Sequence, residues 1–172
     1  MMLAFRAAVL FSAGTALVLA LNLLQVHRRE VVERTWLAVP LLAAAATVVG
    51  LLYPLALREG KAPDGSTVMR CLAVFVGIYQ ATTKIDFTGY AELGATLAAL
   101  SAGIWWLFDR SGPGLALSLL FTMISAAFTH FLLHFSILTS LDHGYLYSRL
   151  WCVYFSGCIT FGAIGRRLAA ND

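Results

Sequence analysis

His130 and His134 stand four residues apart in an apolar run, a spacing that brings two imidazoles onto one face of a helix. Two such nitrogens can ligate one zinc or iron. The intervening Phe-Leu-Leu carries no carboxylate, however, so the helical zinc-protease pattern with its built-in general base is missing. A metal-dependent enzyme would need further ligands, and Asp142 and His143 are the candidates; the competing reading is two histidines that hydrogen-bond neighbouring helices. Cys71, Cys152 and Cys158 form no C-x-x-C pair and lie in apolar stretches, as buried thiols do. There is no G-x-S-x-G elbow, no glycine-rich phosphate loop and no Ser/His/Asp spacing. The expectation is therefore a non-enzyme with no catalytic residue, no metal and no cofactor.

The remaining chemistry lies in charges set beside apolar segments. An ionisable group at membrane depth costs about 2.5–3.5 kcal/mol on insertion scales, so each one asks for a reason. Glu92 falls in the first turn of an apolar segment, where it could cap the helix at the headgroup level or line a pocket. Asn22 and Gln25 close the first apolar run, and Lys84 with Asp86 suits a local ion pair near the interface. Asp109-Arg110 follows Trp105-Trp106 directly and is followed by Ser-Gly-Pro-Gly, the composition of a helix leaving lipid for water.

What must position these groups is set by composition. The 172 residues are 60% hydrophobic and 12% charged, and the mean hydropathy is +0.80. A soluble domain is usually about 45–50% apolar and about 25% charged. The excess apolar surface has to face lipid, which makes this an integral membrane protein. A net charge of +3 leaves no basic footprint for nucleic acid. Apolar runs at 3–26, 36–57, 67–83, 91–108, 115–139 and 150–165 are each near the length that crosses the hydrocarbon. The fold class expected is all-α: one compact domain over 1–172, a bundle of six transmembrane helices joined by short loops. The first run carries Arg6 near its start, and no small-residue cleavage motif is followed by a soluble domain, so it reads as a span and not a removable signal. With a cytoplasmic N-terminus, that side collects Arg6, Arg58, Lys61, Arg70, Arg110, Arg166 and Arg167, against Arg28, Arg29, Arg34, Lys84 and Arg149 opposite. The imbalance places both termini in the cytoplasm. A small transporter or channel subunit fits the span count too, but the sparse intramembrane charge offers little for a polar path.

Glycines such as Gly14, Gly50, Gly77, Gly103, Gly157 and Gly165 recur among the alanines of these runs. Small residues let helices approach closely, and they can equally open a groove in which a ring or acyl chain lies on backbone. With Phe75, Tyr79, Trp105 and Trp106, they allow an apolar, lipid-sized pocket between helices.

The blocks ALNLLQ (20–25), GLLYP (50–54), VMRCLAVFVGI (68–78), KIDF (84–87), TLAALSAGIWWLFDRSGPG (96–114) and GAIGRRLA (162–169) resemble, in register, the Insig family of insulin-induced gene proteins. That resemblance implies six helices, both termini cytosolic, and residence in the endoplasmic reticulum of eukaryotes. It implies a non-enzymatic sensor that holds an oxysterol within the membrane and then retains sterol-sensing proteins, Scap and HMG-CoA reductase, in cholesterol homeostasis. The family's pocket residues fall here on Phe75, Glu92 and Trp105, and its partner-binding aspartate on Asp109. Glu92 replaces a family glutamine, exchanging an amide donor for a carboxylate. Short tails and Ala/Arg-rich helices resemble a prokaryotic member, in whose inner membrane a glycerolipid such as diacylglycerol would be the ligand. A homo-oligomer would then stand in for a foreign partner.

Overall fold

In the computed structural model of the chain, residues 2–24, 35–56, 62–84, 90–134 and 143–170 are described. They form six helices: α1 (Met2–Leu24), α2 (Thr35–Ala56), α3 (Gly65–Lys84), α4 (Tyr90–Phe108), α5 (Gly112–His134) and α6 (His143–Ala170). No strand occurs among the described residues. Three stretches, Leu3–Leu21, Val39–Ala56 and Gly112–Phe131, are long and apolar enough to cross a membrane, and Glu92–Phe108 is a shorter apolar helix. Only 11%, 28% and 17% of the three stretches is buried in the protein. Leu19, Leu41, Leu52, Leu119, Met123 and Phe128 instead point outward. Oily residues turned outward are what a lipid surround selects.

α6 owes its mixed composition to its place. It packs against α2, α3, α4 and α5 and touches α1, while α1 rests mainly on α2. Two sides of α6 are buried in different apolar clusters. Cys152, Phe155 and Ile159 meet Cys71 and Ile78 of α3 and Leu93, Leu97 and Ile104 of α4. Cys158 and Phe161 meet Ala46, Val49 and Tyr53 of α2, with Leu17, Leu117 and Phe121 at the edge. A helix enclosed by others has no need of an oily perimeter, so α6 carries polar residues that satisfy themselves inside. Ser156 Oγ donates to the Cys152 carbonyl at 2.7 Å, and Thr160 Oγ1 donates to the Ser156 carbonyl at 2.8 Å. Thr160 also meets the Cys71 thiol at 3.5 Å. Between α5 and α6, the Thr129 and Tyr154 hydroxyls are 2.7 Å apart.

The close crossing of α2 and α6 depends on two glycines. A Cβ at Gly165 would strike the Gly50 carbonyl, and one at Gly162 would fall 2.6 Å from the Tyr53 ring. Backbone therefore lies on backbone, as small residues permit. Gly77 and Gly103, by contrast, would meet nothing within 4 Å.

α5 starts earlier than the expected span at 115. The Ser-Gly-Pro-Gly stretch is the first turn of a helix and not only the exit from α4. Ser111 caps it: the Gly114 N–H donates to Ser111 Oγ at 3.1 Å. Pro113 sits in the first turn, where a missing N–H costs nothing.

Candidate functional site

The α4–α5 turn, the end of α2 and the end of α6 converge on a buried polar cluster. α4 ends where the Asp109 and Arg110 N–H groups both return to the Trp105 carbonyl at 3.0 Å. That closure turns the Asp109 carboxylate inward, to 0% side-chain exposure. Its Oδ1 lies 3.2 Å from Nη2 of Arg166, which is itself 9% exposed. Its Oδ2 accepts a hydrogen bond from the Tyr53 hydroxyl at 2.7 Å. That hydroxyl also lies 3.3 Å from Ser118 Oγ and 3.4 Å from the Gly114 carbonyl. The Arg166 guanidinium stands 5.6 Å from the centre of the Tyr53 ring, within cation–π range. Gly114 is obligatory here, because a Cβ would collide with the Asp109 carboxylate.

The cluster joins α2, the α4–α5 turn, α5 and α6. A buried charge is tolerated only when paired and hydrogen-bonded. Asp109 meets it through its pairing with Arg166 and the hydrogen bond from Tyr53, and Arg166 is paired with Asp109. The arrangement is a clasp: it can fix the mutual position of four segments, and it contains no nucleophile or general base aimed at open space. Arg166 Nε and Asp109 Oδ1 have no hydrogen-bond partner in correct geometry, so the pair is held by charge proximity through Nη2.

The residues expected at a ligand pocket are dispersed. Phe75 is buried on α3 with its ring against Gly157 of α6; a Cβ there would be in ordinary contact at 3.5 Å. Trp105 is half-buried, packs on the edge of the α3–α4–α6 cluster, and donates its indole N–H to the Ser111 carbonyl at 3.1 Å. Glu92 is exposed on the first turn of α4. Asp109, expected as a partner contact, has its carboxylate inside the clasp and so meets the surface only through its backbone and the turn it holds. His130 is exposed on α5. No group of three or more His, Cys, Asp or Glu side chains gathers among the described residues. Asp142 and the side chains of His134 and His143 lie outside them.

Tyr53, Ser118 and Arg166 were not singled out from sequence as site residues. Arg166 looked like a topology charge after the last apolar run. Its signal was the Gly162 and Gly165 pair just before it, which brings that end of α6 against α2.

Residues 5–169 match the family model described as insulin-induced protein (INSIG). The insulin-induced gene 1 protein of Homo sapiens is 42% identical over 95% of this chain and 65% of its own length. The Xenopus tropicalis protein is 42% identical over 97% of this chain and 73% of its own. This chain thus spans slightly under two thirds of the human relative. The crystal structure of a mycobacterial Insig homologue from Mycobacterium vanbaalenii superposes with a TM-score of 0.78, covering 96% of this chain and 94% of that one at 19% identity. A cross-linked trimer of a variant of the same mycobacterial protein superposes at 0.77. The likeness to those two structures is one of fold, and the family model and the vertebrate relatives carry the assignment. With its long, outward-facing apolar helices, the chain is an integral membrane protein that belongs to the Insig family.

Proposed function

We propose that the chain is a non-enzymatic membrane sensor of the Insig type, a single six-span domain over 1–172 with both termini cytoplasmic. It holds a sterol, an oxysterol or a glycerolipid such as diacylglycerol beside Phe75, Glu92 and Trp105. Occupancy then alters association with another membrane protein. The observation that carries this reading is family membership along residues 5–169, nearly the whole chain. Supporting it, Phe75 and Trp105 belong to α3 and α4, which both pack on α6, and Gly157 leaves bare backbone under the Phe75 ring. A flat ring system or acyl chain inserted there would exchange one apolar contact for another and keep the helices apart from water.

The resemblance to Insig implies Scap-like or HMG-CoA-reductase-like sterol-sensing partners in the endoplasmic reticulum of a eukaryote. In a bacterium the inner membrane is the location, and the partner is a second copy of the chain. The trimer described for the mycobacterial homologue supports that arrangement. Asp109 contributes to association by holding the α4–α5 turn in shape.

The test is lipid analysis of purified protein, with cholesterol, 25-hydroxycholesterol and diacylglycerol added back in thermal-shift assays. One co-purifying lipid class, or stabilisation by one of the three that is lost in Trp105→Ala, supports the reading. No bound lipid and no stabilisation by any of them contradicts it.

A further inference from the structure

The dipeptide Asp109-Arg110 is neutral in sequence, but the fold separates its charges. The Asp109 carboxylate is consumed inside by Arg166 at 3.2 Å. Arg110 faces outward, exposed, and no carboxylate pairs with it among the described residues. The protein's surface therefore carries a positive charge at this turn that local composition cancels. Arg110 is also held in an unusual way. Its φ of 51° makes it the one non-glycine residue with positive φ among those described. An L-residue in this left-handed region is strained, and glycine occupies it without penalty. Helix ends commonly use glycine for this closure. Here an arginine is used, and its side chain is laid back on the helix: Nε donates to the Trp106 carbonyl at 2.9 Å, and the guanidinium lies 4.9 Å from the Trp106 ring centre.

Trp106 is 57% exposed and Leu107 68% exposed, on the last turn of the apolar Glu92–Phe108 stretch. An exposed indole at the end of an apolar helix belongs at the boundary between hydrocarbon and headgroups. A guanidinium stacked on that indole lies at headgroup level, with its terminal nitrogens free to bond two oxygens of one phosphate. The geometry points to Arg110 and Trp106 forming a seat for the phosphate of an anionic phospholipid, with Leu107 against the acyl chain. The clasp is what makes the seat anionic-selective, because it withdraws Asp109 from the same turn. This seat is on the outer face and is independent of any ligand between the helices.

The test uses full-length protein in dodecyl maltoside. Native mass spectrometry counts bound dioleoylphosphatidylglycerol and dioleoylphosphatidylcholine, and melting temperature is followed in parallel with inorganic phosphate as a third addition. Wild type should prefer the anionic lipid about tenfold: both lipids offer the same phosphate diester, but in phosphatidylcholine the quaternary ammonium beside it offsets that charge and repels the guanidinium. Arg110→Gln should bring that preference close to one, while Arg70→Gln, another exposed arginine, should leave it unchanged. Arg110→Gly should also abolish the preference while raising the melting temperature by about 2–4 °C, since it relieves the backbone. Retention of the wild-type preference in both Arg110 variants overturns the proposal. So does an equal loss in Arg70→Gln, which would mean diffuse surface charge, or stabilisation by inorganic phosphate equal to that by phosphatidylglycerol, which would mean a free-anion site.

Discussion

Removing one partner of the Asp109–Arg166 pair should unsettle the whole bundle. In Asp109→Asn the side chain keeps its shape and can still accept the Tyr53 hydroxyl, now seen at 2.7 Å, but the Arg166 charge 3.2 Å away loses its counter-ion in a buried place. Breaking a buried pair in this way costs about 3–5 kcal/mol, nearly all of it the stranded charge. For a domain of this size each kcal/mol is worth about 2–4 °C, so the melting temperature should fall by about 6–20 °C. Arg166→Met strands the carboxylate instead and should cost a similar amount. The double variant Asp109→Asn/Arg166→Met leaves no stranded charge and should recover at least about 2 kcal/mol over either single change, the sign of coupling in a double-mutant cycle. The assay is built into the chain: Cys71, Cys152 and Cys158 are free and buried, so a thiol-reactive dye reports their exposure on unfolding. Single variants that melt within about 3 °C of wild type, or a double variant whose loss is the sum of the two, would refute the clasp.

Other consequences follow from the same contacts. Gly165→Ala should destabilise by about 1–3 kcal/mol in thermal unfolding, since its Cβ meets unyielding Gly50 backbone, whereas Gly103→Ala, with open space around it, should stabilise by about 0.5–1 kcal/mol. Tyr154→Phe should cost about 0.5–1.5 kcal/mol by the same assay, having lost its bond to Thr129. Elemental analysis of purified protein should give zinc and iron well below one per chain, and one tightly held ion would revive His130 and His134 as ligands.

The six helices were legible because hydropathy over about 20 residues is a strong signal, and the expected runs at 36–57 and 91–108 fall within a residue or so of α2 and α4. The ends of α5 and α6 were less legible for different reasons. Ser111 caps a helix that begins with Gly-Pro-Gly, a composition that reads as a turn until the Gly114 N–H is seen on the Ser111 hydroxyl. At its C-terminal end α6 runs beyond its apolar stretch through Arg166, whose charge is buried against Asp109, and no one-dimensional window detects such shelter. The clasp was invisible for a related reason. Tyr53, Asp109 and Arg166 are separated by 56 residues and more along the chain, each sits at a segment end, and each has an ordinary interfacial explanation on its own. Only the glycine-mediated crossing of α2 and α6 brings them together. Phe75, Glu92 and Trp105 entered through family resemblance; local physics alone gave aromatic residues near small ones.

The measurement that bears most directly on the sensor reading is the lipid content of protein purified in mild detergent, wild type beside Trp105→Ala, by native mass spectrometry. A discrete adduct of sterol or diacylglycerol mass is expected on the wild type. The adduct is expected to be largely lost from the variant, while the helical fold persists and unfolds in one cooperative transition. A wild type that carries no discrete lipid and binds none of the added sterols or diacylglycerol would contradict the sensor reading, as would a Trp105→Ala variant that retains the adduct in full.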